Sequence, residues 1–182
     1  MTSAHKWIAP ILCAILLVAG CATSRNLDSA FSDIGADAEL KSVLFSDRSH
    51  DYSDVDLTVF EGRLLLTGTV RSPSAHEKLI QNAWSAESID QVIDEVSVDG
   101  RTSIGQGFED ARIDQTLRAN LIGRKDVISG DYKIAVSGAT VYLIGRAQDE
   151  QQLTTALNVA RNIAGVEKVV NHVVVNQVVL KQ

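Results

Sequence analysis

The sequence consists largely of one unit that occurs twice. When the chain is shifted by 77 residues, positions 37–98 align with positions 114–175 without a gap, and 11 of the 62 pairs are identical. The apolar pattern agrees along nearly all of the alignment, which indicates a structural repeat. Two copies predict two compact domains, because a stacked solenoid usually needs at least three repeats. The identical pairs are Asp37/Asp114, Leu40/Leu117, Leu44/Leu121, Asp54/Asp131, Val59/Val136, Leu66/Leu143, Gly68/Gly145, Ala83/Ala160, Val92/Val169, Val96/Val173 and Val98/Val175.

The first half of each copy predicts a helix followed by a β-hairpin. Apolar residues at helical spacing come first, and two stretches that alternate like strands follow after a polar loop. Glu61-Gly62 and Gly138-Ala139 separate the two strands and predict tight turns. A glycine shared by both copies closes the second strand. The hairpin is therefore predicted to be antiparallel.

The second half of each copy predicts another helix and a third strand. Ser72 before Pro73, and Asp149 three residues before Gln152, are typical of helix N-termini. The resulting order is α-β-β-α-β, and its β-α-β part requires a crossover connection. We therefore expect an α+β fold with two tandem domains. Each domain has a small three-stranded mixed sheet with two helices on one face.

The N-terminus has the features of a bacterial lipoprotein signal peptide. Lys6 gives a weakly basic start, residues 7–18 are mostly apolar, and Ala19-Gly20 supplies small residues before Cys21. This lipobox pattern predicts cleavage after residue 20 and acylation of Cys21. The alternatives are a transmembrane anchor, for which the run is shorter than the ~20 residues needed to span a bilayer, and an ordinary secretory signal with an incidental cysteine.

The remaining chain divides into a tether, two domains and a linker. We predict a lipidated tether over 21–36, a first domain over 37–98, a linker over 99–107, a second domain over 108–176 and a C-terminal tail over 177–182. Ala22, rather than Asp, follows the acylated cysteine, which by resemblance to enterobacterial sorting favours the outer membrane. The expected location is the outer membrane, lipid-anchored and facing the periplasm.

Charge is distributed unequally between the two copies. Residues 37–98 contain 12 acidic and 5 basic residues, whereas residues 111–176 contain 6 acidic and 8 basic residues. One interpretation is that only the second domain approaches an anionic partner. The other is neutral divergence of two solvated surfaces.

The sequence lacks the motifs that usually mark an enzyme or a metal site. Cys13 is predicted to leave with the signal peptide, so Cys21 is the only cysteine of the mature chain. His50, His76 and His172 do not have the spacing of metal ligands. No nucleophile elbow or P-loop occurs. We expect no catalytic residue, no metal, no cofactor, no small-molecule substrate and no nucleic-acid partner.

The repeated unit resembles the BON domain family. The resemblance is carried by the strand ends Leu64–Gly68 and Val141–Gly145 and, most specifically, by Ala164–Asn171. The first copy departs from the pattern, because Ser88 occupies the position of Gly165. Two such domains behind a lipobox resemble the dual-BON outer-membrane lipoproteins of Gram-negative bacteria.

The resemblance implies a non-enzymatic role in envelope integrity, with phospholipid as the ligand. In such lipoproteins the first helix of the second domain engages anionic phospholipid, which here is the segment Glu109 to Ile122. Family members often have a large aromatic residue where this chain has Arg112, and we expect Phe108 to substitute one turn earlier. The phospholipid-binding residues predicted from this resemblance and a helical projection are Phe108, Arg112, Gln115, Arg118, Ala119, Ile122, Arg124 and Lys125.

A second function is compatible with the same sequence. The chain could act as an interaction scaffold that contacts an envelope machine or peptidoglycan through its acidic first domain, without binding lipid. The helix would then be an ordinary amphipathic helix with solvated arginines. The predicted partners are thus an anionic phospholipid membrane or envelope proteins.

Overall fold

The predicted α-β-β-α-β order is present in both copies. The structure is a computed structural model that describes residues 27–46, 51–98 and 104–176; the predicted signal peptide, Cys21 and the tail 177–182 lie outside the described residues. A short 3-10 turn, Ser129–Asp131, precedes the fourth strand. The elements are α1 (Leu27–Ser46), β1 (Val55–Phe60), β2 (Arg63–Thr69), α2 (Pro73–Ala83), β3 (Gln91–Ser97), α3 (Ile104–Ile122), β4 (Tyr132–Ser137), β5 (Thr140–Ala147), α4 (Glu150–Arg161) and β6 (Lys168–Val175).

The two sheets have the same topology, as the repeat predicts. In each sheet the middle strand, β2 or β5, pairs antiparallel with the strand before it and parallel with the strand after the crossover helix. The strand orders are β1-β2-β3 and β4-β5-β6. The helices of each domain cover one face of its sheet. The predicted α+β class, with mixed sheets and helices on one face, is confirmed.

The local turn and cap signals are confirmed at atomic detail. Glu61, Gly62, Gly138 and Ala139 all have positive φ, between 48° and 73°. Positive φ at both central residues defines the type I′ turn that suits a two-residue hairpin. Both second helices begin at the predicted caps, where the side chains of the cap residues accept hydrogen bonds from the backbone N–H three residues later.

The shared glycine at the end of β2 and β5 is required by a close approach of backbone. A Cβ on Gly68 would lie 2.0 Å from the carbonyl oxygen of Asp54, and one on Gly145 would lie 2.2 Å from that of Asp131. Any side chain at these positions would push the antiparallel neighbour away. Two of the eleven identical pairs, Gly68/Gly145 and Asp54/Asp131, therefore meet at this close approach.

The first helix of each domain is longer than the sequence predicts. The segment 21–36 was expected to be a tether, but α1 begins at Leu27. The segment 99–107 was expected to be a linker, but α3 begins at Ile104.

A buried aspartate in the first helix of each domain binds the hairpin of the same domain. Asp33 accepts hydrogen bonds from the backbone N–H groups of Glu61 and Gly62 at 3.0 and 3.2 Å. Asp110, at the equivalent position, accepts two from the turn of its own hairpin, both at 2.9 Å. The N-terminal half of each first helix is thus fixed to a hairpin that is distant in sequence.

The uncovered faces of the two sheets pack against each other. Successive residues of β2 alternate, so that Leu64 and Leu66 face the helices whereas Leu65 faces the other domain. Each sheet is therefore buried on both faces. The interdomain cluster consists of Phe60, Leu65, Ala135, Tyr142 and Ile144, with Ile93 and Val170 packed against it.

Polar contacts at the edge of this cluster connect the two domains. The ring Nε2 of His172 lies 2.9 Å from Oε1 of Glu95, and these two residues occupy equivalent positions of the repeat. Contact between equivalent positions is expected where two copies face each other about an approximate twofold axis. Arg146 donates from Nε to Glu61 at 3.1 Å, and the guanidinium of Arg63 donates to the carbonyl of His172.

Replacing Gly68 with alanine tests the close approach of β1. We expect Gly68→Ala to lower the free energy of unfolding by at least about 2 kcal/mol, because the new methyl group overlaps the Asp54 carbonyl and φ is positive. Urea denaturation followed by circular dichroism measures this change. Gly35→Ala, a helical site with open space around its Cβ position, is the control and should be neutral or slightly stabilising.

A double-mutant cycle tests the packing between the sheets. Leu65→Ala and Ile144→Ala each remove a fully buried side chain of the interdomain cluster, at an expected cost of about 2–4 kcal/mol in unfolding free energy. Because the two side chains share this cluster, their effects should be non-additive by at least about 0.5 kcal/mol. Additive effects would contradict the packing. Leu65→Ala combined with Leu153→Ala, which lies in the helix-facing core, should be additive.

Candidate functional site

Helix α3 has one buried and one exposed face. Ile113, Leu117 and Leu121 are at most 2% exposed and form the contact with the second sheet, as the helical projection predicts. The eight residues predicted to bind phospholipid are all exposed, and they lie on the opposite side of α3 or just beyond its end. We call Phe108, Arg112, Gln115, Ala119 and Ile122 the outer face of α3.

Two large apolar side chains stand at the ends of the outer face. Phe108 is 75% exposed and Ile122 is 66% exposed. Since α3 begins at Ile104, Phe108 lies inside the helix rather than before it. Its separation of fourteen residues from Ile122 is close to four helical turns, so the two side chains lie on the same side.

The arginine at the centre of the outer face also supports the fold. Arg112 donates from Nε to Glu109 at 3.0 Å and from Nη2 to the carbonyl of Ala164 at 2.8 Å. Gly165 follows with a φ of 91°, and a Cβ there would lie 2.9 Å from the Arg112 guanidinium. The glycine at this position is favoured by its positive φ, which L side chains rarely adopt, and the Arg112 guanidinium packs against it.

The other arginines of the predicted site are paired with nearby carboxylates. Arg118 binds Asp114 through two hydrogen bonds of 2.8 Å and also donates to the carbonyl of Ile134 at 2.9 Å. Arg124 donates to Asp126 at 3.0 Å, and this hydrogen bond is the main reason that the pKa of Asp126 lies below its ordinary value. Across residues 104–126, four basic side chains are balanced by four acidic ones.

The pairing of acidic and basic side chains weakens the attraction that this surface can exert on an anionic ligand. The guanidinium groups remain about half exposed, but each is already neutralised by a carboxylate within 3.0 Å. Exposed ion pairs of this kind contribute little to stability and are screened by salt. The strongest interaction that the outer face offers is therefore burial of Phe108 and Ile122.

A small cavity opens next to the C-terminal end of the outer face. Its volume is about 160 Å³, and it lies between the end of α3, the 3-10 turn and the start of β4. Burial raises the pKa of Tyr132, whose hydroxyl donates to Gln152 at 3.1 Å. The lining residues are Arg118, Leu121, Ile122, Ser129, Gly130, Tyr132 and Ile134.

Sequence reasoning missed the cavity and the two buried aspartates. The cavity combines residues up to 16 positions apart, and only the fold brings them together. Asp33 and Asp110 were detectable, since they extend the repeat alignment by four residues toward the N-terminus. Within the described ranges, no cluster of three or more His, Cys, Asp or Glu is arranged to hold a metal ion. In the same part of the chain, no helix is both long and apolar enough to cross a membrane.

The architecture defines a tandem α+β protein whose two domains share one topology. The BON domain family matches residues 32–100 and residues 109–177. The chain therefore belongs to the BON family and contains two BON domains. The resemblance deduced from the sequence motifs is confirmed.

Three relatives are similar over most of this chain. A protein of Anaplasma centrale, described by its position in the gshII 5′ region, is 31% identical over 67% of this chain and 82% of its own length. The 21 kDa hemolysin of Actinobacillus pleuropneumoniae is 27% identical over 76% of this chain and 66% of its own length. Outer membrane lipoprotein DolP of Haemophilus influenzae is 25% identical, and the match covers 64% of this chain and 60% of that protein.

Removing the Arg112 side chain tests its contact with the loop. We expect Arg112→Ala to lower the free energy of unfolding by about 0.5–1.5 kcal/mol, because the carbonyl of Ala164 loses its donor. Hydrogen exchange of the amides around Gly165 should accelerate in the same variant. Lys125→Ala, which removes an exposed cation just beyond α3, is the control and should change neither quantity.

Proposed function

We propose that this protein is a lipid-anchored periplasmic BON protein that docks the outer face of α3 on anionic phospholipid and supports outer-membrane integrity. The observation that carries the proposal is the pair Phe108 and Ile122, exposed at both ends of one helix face with basic side chains beside them. An amphipathic surface of this kind suits the interface between headgroups and acyl chains. The protein has no catalytic role in this proposal.

Magnitudes favour apolar insertion over electrostatic attraction. Burying a large apolar side chain contributes about 2 kcal/mol, whereas an unpaired basic residue near an anionic surface contributes ~1 kcal/mol. The arginines of the outer face and its flank are already paired with carboxylates, so each contributes less than ~1 kcal/mol to membrane binding. Lys125 adds attraction to anionic headgroups at the end of the helix.

The anchor makes a weak interaction sufficient. An acylated Cys21 would hold the second domain near the bilayer at a high effective concentration, so docking of α3 becomes an intramolecular step. Cys21 lies outside the described residues, and the lipobox pattern supports this part of the proposal. The similarity to a protein named as an outer membrane lipoprotein supports the same location.

Vesicle co-sedimentation tests the proposal. The chain from Ala22 to Gln182 should bind vesicles that contain phosphatidylglycerol, and the double variant Phe108→Ser, Ile122→Ser should bind at least tenfold more weakly. Raising the salt to about 0.5 M, where the Debye length is roughly 4 Å, should weaken binding less than the double variant does. Ile34→Ser is the matched control, since Ile34 is 65% exposed on α1 of the first domain.

Two outcomes of this experiment would contradict the proposal. Wild-type binding by the double variant would remove the outer face from the interaction. An effect of Ile34→Ser as large as that of the double variant would show that general surface hydrophobicity, rather than this face, drives binding.

A specific feature favours protein contact as the second candidate. A cleft of about 430 Å³ lies between β1 and α3, and its first-domain wall carries Asp54 and Asp56. Burial raises the pKa of Asp56; the charge of Lys41 opposes this shift, and the nearby Asp110 and Asp114 act in the same direction as burial. Such a cleft suits a basic segment of an envelope protein. Crosslinking in cells separates the two candidates, because a scaffold yields protein adducts at 37–98 and no lipid adducts at 108–125.

A further inference from the structure

The wall of the cavity beside Ile122 differs in sequence from the equivalent part of the first domain. In the repeat alignment, Ser129 of the cavity wall corresponds to Tyr52. Tyr52 is buried in the core of the first domain, and its hydroxyl lies 3.4 Å from the carbonyl of Ala75. A large side chain in one copy is thus replaced by a small one at the edge of an open space in the other.

The second domain also has a buried tyrosine, but it stands at a different position of the repeat. In the second domain Tyr132 donates to Gln152, and Gln152 is the equivalent of Ala75. Both domains therefore direct a tyrosine hydroxyl to the same position at the start of their second helix. In the second domain this tyrosine is Tyr132, at the start of β4. Ser129, three residues earlier, is the equivalent of Tyr52 and borders the cavity.

The cavity has the size and chemistry of a site for a short hydrocarbon segment. Its apolar and aromatic side chains are Leu121, Ile122, Tyr132 and Ile134, and the Tyr132 hydroxyl donates a hydrogen bond to Gln152. An apolar cavity of about 150 Å³ binds benzene in another protein, so this volume of about 160 Å³ accepts roughly six carbon atoms. Each methylene that leaves water strengthens binding about fourfold.

The rim of the cavity adds polar groups where a chain would emerge. Arg118 presents a guanidinium that remains about half exposed while paired with Asp114, and Ser129 adds a hydroxyl. Arg118 and Ile122 line the cavity and also belong to the predicted phospholipid-binding set. The headgroup of a lipid whose chain enters here would therefore lie beside the Arg118 guanidinium, which also binds Asp114.

We propose that this cavity takes the end of one acyl chain of a membrane phospholipid, whose headgroup lies at the Arg118 rim. The inference rests on the proposed function, because it assumes that the outer face of α3 meets the bilayer. It goes further by assigning a discrete site for a single lipid molecule. The second domain then recognises a phospholipid by hydrocarbon insertion and not only as a charged surface.

Titration with a monomeric short-chain lipid tests the site. Dihexanoylphosphatidylglycerol, kept below its critical micelle concentration, is added to isotope-labelled chain from Ala22 to Gln182. We expect the largest methyl chemical-shift changes at Leu121, Ile122 and Ile134. Glycerophosphoglycerol, which has the headgroup without acyl chains, should bind at least tenfold more weakly than dihexanoylphosphatidylglycerol.

Ser129→Tyr places the residue of the first domain in the second and fills the cavity. It should weaken binding of the monomeric lipid at least tenfold, whereas Ser129→Ala, which removes only the rim hydroxyl and leaves the cavity open, should weaken it severalfold at most. Should Ser129→Tyr fail to fold, the methyl shifts of the wild-type protein decide the question alone. Shifts confined to other regions, equal affinity for glycerophosphoglycerol, or wild-type affinity in folded Ser129→Tyr would overturn the inference.

The vesicle experiment separates this inference from the proposed function. Ser129→Tyr keeps Phe108 and the rest of the outer face, so a loss of monomeric-lipid binding with retained vesicle binding supports both statements. Vesicle binding by the wild type without a response to the monomeric lipid overturns the cavity alone. Absence of vesicle binding by the wild type overturns the proposed function.

Discussion

Packing of one sheet against the other is the constraint on which the remaining structure depends. A three-stranded sheet with two helices buries only one of its faces, and Leu65, Tyr142 and Ile144 would leave the other face apolar and wet. Facing the two copies removes both apolar surfaces from water at once. The helices are then the outward layer of each domain, so a surface that contacts a membrane or a partner has to be built largely on them.

The arginines of α3 in this outward layer mostly form hydrogen bonds and ion pairs within their own domain. Arg112 holds the loop before β6, and Arg118 joins Asp114 to the edge of β4. Arginine suits such positions, because its planar group can satisfy a carboxylate and a backbone carbonyl together. The side chains without a charged partner on the outer face are mostly apolar, so the proposed docking on a bilayer depends on shallow insertion more than on electrostatic attraction.

The two copies keep their backbone constraints and differ in their surfaces. The glycines at the strand ends and the aspartates that bind the hairpin turns occur in both, because each one solves a steric or hydrogen-bonding requirement of the same fold. Side chains away from these points have diverged, and the exchange of Tyr52 for Ser129 is the clearest case.

The sequence by itself determined the repeat, the order of elements, the positions of the tight hairpin turns, the helix caps and the buried side of α3. These features depend on periodicity and on residues close in the chain, and physical rules of short range suffice for them. Only the tertiary structure decided that the sheets face each other, that α1 and α3 extend into the predicted tether and linker, and that the arginines are paired. These features depend on contacts between residues far apart in sequence, such as Arg112 with Ala164 or Glu95 with His172. The alternation of apolar residues along a strand does not specify what covers the second face of the sheet.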